Sequence, residues 1–189
     1  MRKQTQPIHP HAEAVEIVDG SDRPLGVMAL PEAQRQALFH RTVLVLLYDC
    51  QGRVCLQRRA RSKVLYPGRW DLSSSGHVKA GESREDAAIR ELFEELGVNA
   101  PRLTRLVEVE ARPETSYGFV TLYSAGGFSG SILPDPGEVE EICFVDGDEL
   151  ESLVDNFREM LTPALVYCWE KGFLFGTAHS AGKPGANDG

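Results

Sequence analysis

Three glutamates, Glu91, Glu94 and Glu95, stand at i, i+3 and i+4, the spacing that gathers side chains on one side of a helix. At ~5.5 Å separation each pair repels by about 1 kcal/mol in water and by ~3 kcal/mol at an effective dielectric of 20. A hard divalent cation removes that cost. Mg2+ takes oxygen ligands from a few carboxylates and leaves its other positions to water and substrate phosphates. Arg90 lies one turn before Glu94 and can clamp a carboxylate oxygen. Upstream, Gln57-Arg58-Arg59-Ala60-Arg61-Ser62-Lys63 runs into Tyr66-Pro67-Gly68, so Arg59 and Lys63 stand at a strand end, where cations can hold phosphate oxygens. Taken singly, each feature also has a plainer reading, as a solvated acidic face or as exposed strand-end charge.

The elements that must position these groups follow from pattern. Ser83 and Asp86 form a capping pair and Gly97 supplies a stop, which predicts a helix over 83–96. Within it Ile89, Leu92, Phe93 and Leu96 fall at i, i+3, i+4 and i+7, an apolar stripe expected to face a core, with the glutamates on the opposite side. Ala87 and Ala88 are expected to leave room above them. Strands are predicted at 13–18, 42–48, 54–58, 70–73, 103–109, 119–123 and 141–145, with the Ser73-Ser74-Ser75-Gly76 run breaking the fourth. Asp49-Cys50-Gln51-Gly52 makes 42–58 a hairpin. Further helices are predicted over 31–38, 146–153 and 162–171, the last with Thr162 as cap and Pro163 at its first position. Strands around a central helix, closed by another helix, imply an α+β fold of the α/β/α sandwich type on a mixed sheet.

Gly76, Glu82 and the run Arg90-Glu91-Leu92-Phe93-Glu94-Glu95-Leu96-Gly97-Val98 together reproduce every fixed position of the Nudix box. The chain therefore resembles the Nudix hydrolases. That resemblance implies a loop–helix–loop on a mixed-sheet sandwich, Mg2+ or Mn2+ as cofactor, and hydrolysis of a diphosphate linkage in a nucleoside di- or triphosphate derivative. It implies metal ligation by Glu91, Glu94, Glu95 and the Gly76 carbonyl. Arg90 would be the orienting partner, Glu82 a tie between loop and helix, and Glu91 or Glu94 the proton acceptor. A further carboxylate from a later loop is expected at Glu138 or Glu141.

The stretch from Gln57 to Asp71, with Ser75-Gly76-His77, is similar to type I isopentenyl-diphosphate isomerases. There Arg59 and Lys63 match diphosphate-binding positions, and His40 and His77 match metal-ligating histidines. The isomerase's catalytic cysteine is here Ser75, and its Glu-x-Glu pair is missing from Ser116-Tyr117-Gly118-Phe119-Val120-Thr121. These departures favour hydrolysis over isomerisation, and make His40 and His77 loop hydrogen-bonders. A non-catalytic module that senses a nucleotide is the third alternative, against which the complete carboxylate set argues.

Composition bounds the rest. The 189 residues carry a net charge of −8, which argues against duplex nucleic acid as partner and leaves a small phosphorylated substrate. No apolar run reaches the ~20 residues of a membrane span, and the N-terminal stretch lacks the apolar region of a secretory signal. Cys50, Cys55, Cys143 and Cys168 have no CxxC spacing, so reduced thiols in a cytoplasmic protein are expected. Residues 13–175 are expected to form one domain, with loose ends at 1–12 and 176–189. Family analogy adds a possible homodimer.

Overall fold

The computed structural model describes residues 13–100 and 102–175; the ends expected to be loose lie outside the described residues. The chain opens with β1 (Ala14–Val18) and β2 (Pro24–Ala29), an antiparallel pair. Asp19 Oδ1 closes the turn between them by accepting from the Ser21 and Arg23 amides. Then come α1 (Leu30–Arg35), β3 (His40–Asp49), β4 (Val54–Arg59), β5 (Trp70–Asp71), β6 (Ser74–His77) and α2 (Arg84–Leu96). The remainder is β7 (Thr104–Val109), β8 (Gly118–Phe128), β9 (Val139–Val145), α3 (Gly147–Asn156) and α4 (Pro163–Glu170).

The larger sheet has seven strands in the order β5-β4-β3-β8-β7, with β6 beside β3 and β9 beside β4. β3 and β8 run parallel and the other pairs antiparallel, so the sheet is mixed as expected. Alternation along β3 splits the core. Val43, Val45 and Leu47 face α2, while Leu44 and Leu46 join Leu150, Val154, Leu161 and Leu165 of the α3–α4 side. The α/β/α sandwich is therefore borne out.

Two strands depart from expectation. The Ser-Ser-Ser-Gly run does not merely interrupt the sheet: Ser74–His77 is β6, paired Val45↔Ser74, Leu44↔Ser75 and Val43↔Gly76. Serine and glycine are weak strand formers by themselves, but the edge of β3 supplies the ladder. That edge exists because β3 and β4 register only at Tyr48↔Val54 before parting. Ser73 fills the fork, its Oγ accepting from the Leu47 amide at 2.8 Å and donating to the Cys55 carbonyl at 2.6 Å. β2 carries Pro24 and Gly26, which dilute the strand pattern, and its order comes from β1.

On α2, Ser83 Oγ accepts from the Asp86 amide at 3.1 Å and Gly97 closes the helix at φ 66°, as expected. The stripe is corrected. Leu92 and Leu96 are buried, but Phe93 is 58% exposed. The core face runs through Ala87, Ala88, Leu92 and Leu96, all fully buried, and the two alanines bring the helix close to the sheet rather than clearing space above the glutamates. Of the glutamates only Glu94 faces solvent, opposite this face as expected. Glu91 and Glu95 flank it and are buried, with 9% and 3% exposure.

Candidate active site

Close packing of α2 on β6 sets the geometry. A Cβ built on Gly76 would lie 2.0 Å from Glu91 Cδ, so the absence of a side chain at this position makes the cradle in which the Glu91 carboxyl rests. Beside it Arg90 fans across acceptors on four residues. Its Nε and Nη2 grip both oxygens of Glu82 at 2.8 and 2.9 Å, Nη2 donates to the His77 carbonyl at 3.0 Å, and Nη1 reaches Glu91 at 2.6 Å and Glu94 at 3.1 Å. The Lys79 amide donates to Glu82 at 3.0 Å, so Glu82 and Arg90 together fasten the loop after β6 to the helix. A bidentate guanidinium–carboxylate pair is directional as well as strong. Burial works against the Arg90 charge, but Glu82 and Glu91 raise its pKa overall.

Glu95 turns the other way. One of its oxygens accepts from Gln57 Nε2 at 2.8 Å and from the Ser75 amide at 3.0 Å. Burial pushes its carboxyl up to about 7, although those donors oppose the rise. Glu91 is pushed up to about 7 as well, by burial first, with Arg90 opposing and Glu95 and Glu13 adding to it. A carboxyl whose folded pKa lies above its unfolded value stabilises the fold only while protonated. Its contribution is complete below about 4.5 and is lost as pH rises through about 7. In EDTA, Glu95→Gln should accordingly raise the melting temperature at pH 8 by on the order of 5 °C and leave it nearly unchanged at pH 4.5. An unchanged or lower melting temperature at pH 8 would refute the buried-charge account.

Glu91, Glu94, Glu95, Gly76 and Arg90 share one cavity of about 620 Å3 with Arg59 and Lys63. The two cations come from the end of β4 and the loop beyond it. Arg59 Nη1 meets Asp71 at 3.3 Å, and Asp71 also accepts from Thr162 Oγ1 at 2.6 Å, which in turn caps α4. Lys63 pairs with Glu138. Among the described residues, no group of three or more His, Cys, Asp or Glu side chains forms a ready ligand cage. Arg90 lies between Glu91 and Glu94, and Glu95 is engaged by Gln57 and Ser75. The donor set on this wall is nonetheless all oxygen, and the Gly76 cradle holds a carboxylate against backbone, an arrangement that fits a hard cation.

Comparisons with known proteins identify the family. Residues 38–165 match the NUDIX domain family. The chain belongs to the Nudix family. An uncharacterized Nudix hydrolase of Pseudomonas aeruginosa is 47% identical over 87 residues, 46% of this chain and 52% of that protein, so the match spans about half of its length. An isopentenyl-diphosphate Delta-isomerase of Nocardia farcinica is 36% identical over 160 residues, 80% of this chain and 90% of that protein. A crystal structure of a Deinococcus radiodurans protein superposes with a TM-score of 0.74 at 25% identity, covering 84% of this chain and 98% of that one. Membership in the family supports hydrolase activity on phosphoanhydride bonds. No helix among the described residues is long and apolar enough to cross a membrane.

Around the Nudix helix the remaining predicted residues separate. Glu138 lines the cavity, whereas Glu141 pairs with Arg58 at 2.9 Å, and the Arg58 guanidinium lies over the Trp70 ring. His40 is buried with Nδ1 2.9 Å from the Leu38 carbonyl, and His77 Nε2 lies 3.3 Å from Gln34 Nε2. Their rings are 5.0 Å apart, with His40 Nε2 and His77 Nδ1 unpartnered among the described residues. Burial lowers the pKa of both, that of His77 to about 3. Gln57, Asp71 and Glu13 join the Nudix site without having been singled out beforehand. For Gln57 a signal existed: it occupies an inward position of β4, where alternation calls for an apolar residue.

Proposed function

We propose that this Nudix domain is a Mg2+- or Mn2+-dependent pyrophosphohydrolase of a nucleoside di- or triphosphate derivative. The observation that carries the reading is the convergence of α2's glutamates and Gly76 with Arg59 and Lys63 on one cavity. Glu91, Glu94, Glu95 and the Gly76 carbonyl would hold the cation. Bound there, it would neutralise charge on the diphosphate and lower the pKa of the attacking water. Arg59 and Lys63 take phosphate oxygens on the facing wall, and Arg59 is held ready by the buried Asp71. Arg90 fixes the rotamers of Glu91 and Glu94. Glu91 or Glu94 takes the proton from water as it attacks phosphorus, and the P–O–P bridge opens with the leaving phosphate carrying the electron pair.

The likeness to isomerases supplies a second reading, in which prenyl diphosphates are rearranged rather than cleaved. Two features speak against it. Ser75 stands where the isomerase has its cysteine, and the β8 residues that line the cavity are Val120 and Leu122, with no carboxylate among them. A screen over nucleotide sugars, dinucleotides, nucleoside triphosphates and prenyl diphosphates, with Mg2+ and Mn2+ and the products separated by anion-exchange chromatography, tests the assignment. The expected result is metal-dependent cleavage of at least one nucleotide class and no allylic isomer from isopentenyl diphosphate. Isomer formation without cleavage of any diphosphate linkage would reverse the conclusion.

A further inference from the structure

Most Lys and Arg side chains among the described residues lie beside a carboxylate. Among the described residues only Arg69, Arg102, Arg112 and Lys171 have none within ion-pair distance. Three of these four line a single cleft of about 510 Å3 on the outer side of α4. Arg158 and Glu170 also line it, paired to each other at 2.5 Å. Arg112 and Lys171 lie over the Tyr167 ring, 5.3 and 5.7 Å from its centroid, and Arg69 Nη1 donates to the Leu161 carbonyl at 3.3 Å. Four cations thus surround one carboxylate on a chain whose net charge is −8.

We propose that this cleft is a second ligand site, built for a phosphate monoester. Like charges gathered in one place repel, and a dianionic group removes that cost as a cation does for the glutamates of α2. Guanidinium forks match phosphate oxygens in geometry as well as charge. Leu161 and Val166, both buried, supply an apolar floor for the organic part of the ester. Tyr167 lines this cleft and the catalytic cavity alike. The phosphate is therefore either a distal group on the substrate or part of a separate phosphorylated molecule seated behind it.

Adenosine 3′,5′-bisphosphate is a suitable probe, because it carries two phosphate monoesters and no phosphoanhydride to be cleaved. Titrated calorimetrically into the full chain in EDTA, it should bind at one site with an affinity that falls as salt rises. R112Q/K171Q should weaken binding by on the order of tenfold to a hundredfold. E170Q, which releases Arg158, should tighten it about twofold to fivefold. Absence of binding, equal affinity in R112Q/K171Q, or no gain in E170Q would overturn the proposal. EDTA strips any divalent metal, so these results stand apart from the hydrolase reading. With the substrate identified by the screen above, competitive inhibition that R112Q/K171Q abolishes makes the phosphate a distal part of the substrate. A change in turnover without competition makes it a separate ligand.

Discussion

Glu94→Gln lowers turnover by about 10²- to 10⁴-fold while leaving the melting temperature within about 3 °C of the parent. The two halves of this expectation have different origins. Glu94 is half-exposed on α2, and its contacts are Arg90 at 3.1 Å and Lys79 at 3.9 Å. An exposed i,i+4 pair of this kind contributes about 0.3–0.5 kcal/mol, so its loss barely touches the fold. A carboxylate that serves only solubility would be equally dispensable for catalysis. One that holds a cation or accepts a proton is not, because the neutral amide neither balances the charge nor takes the proton. Steady-state kinetics at saturating Mg2+ beside thermal unfolding of the same samples checks both halves. Retained turnover would remove Glu94 from the site.

Gly76→Ala is expected to be nearly as damaging through a different cause. The added methyl would fall 2.0 Å from Glu91 Cδ and 2.1 Å from its Oε1, closer than such atoms can sit, so the flexible Glu91 carboxyl has to leave its cradle and its 2.6 Å contact with Arg90. A displacement of about 1 Å at a reacting group is worth roughly 100-fold in rate, and the apparent affinity for Mg2+ should weaken with it. Gly26→Ala is the control: nothing lies within 4 Å of a Cβ there, and activity and stability should both stay near the parent values. The Gly76 variant is read by the Mg2+ dependence of turnover. An unchanged Mg2+ requirement would show that the cradle has no part in metal binding.

Much of this architecture was legible before any coordinates, and the failures share a cause. The Nudix helix, its Ser83 cap and its Gly97 stop are local features, set by residues within a turn of one another, and so were readable. The alternation of β3 likewise reports which side chains face which layer. The burial of Glu91 and Glu95 is not local. It arises because Ala87 and Ala88 let the helix settle onto the sheet, because Gly76 leaves a hollow, and because Gln57 and the Ser75 amide wait across the gap as donors. Periodicity sorts carboxylates to the water side by default and could not see those partners. Phe93 is the converse: its apolar character placed it inside, yet α2 rests on its alanine side and leaves the ring exposed. Ser74–His77 has the composition of a break and is a strand because β3 and β4 part at Ser73. The Arg59–Asp71–Thr162 chain joins residues far apart in sequence; pattern reading reached Arg59 as a phosphate holder and Thr162 as a helix cap, but not their link through Asp71. The clefted arginines around Tyr167 escaped notice for the same reason, coming from three separate segments.

The direct test is a crystal structure of the full chain with Mn2+ and a non-hydrolysable analogue of whichever nucleotide the screen selects, with anomalous data collected at the manganese edge. The account predicts an anomalous peak within coordinating distance of carboxylate oxygens of Glu91, Glu94 or Glu95 and of the Gly76 carbonyl, with phosphate oxygens shared toward Arg59 and Lys63. A manganese peak elsewhere, with Glu91 and Glu94 still joined through Arg90 and Glu95 still bound to Gln57, would contradict it.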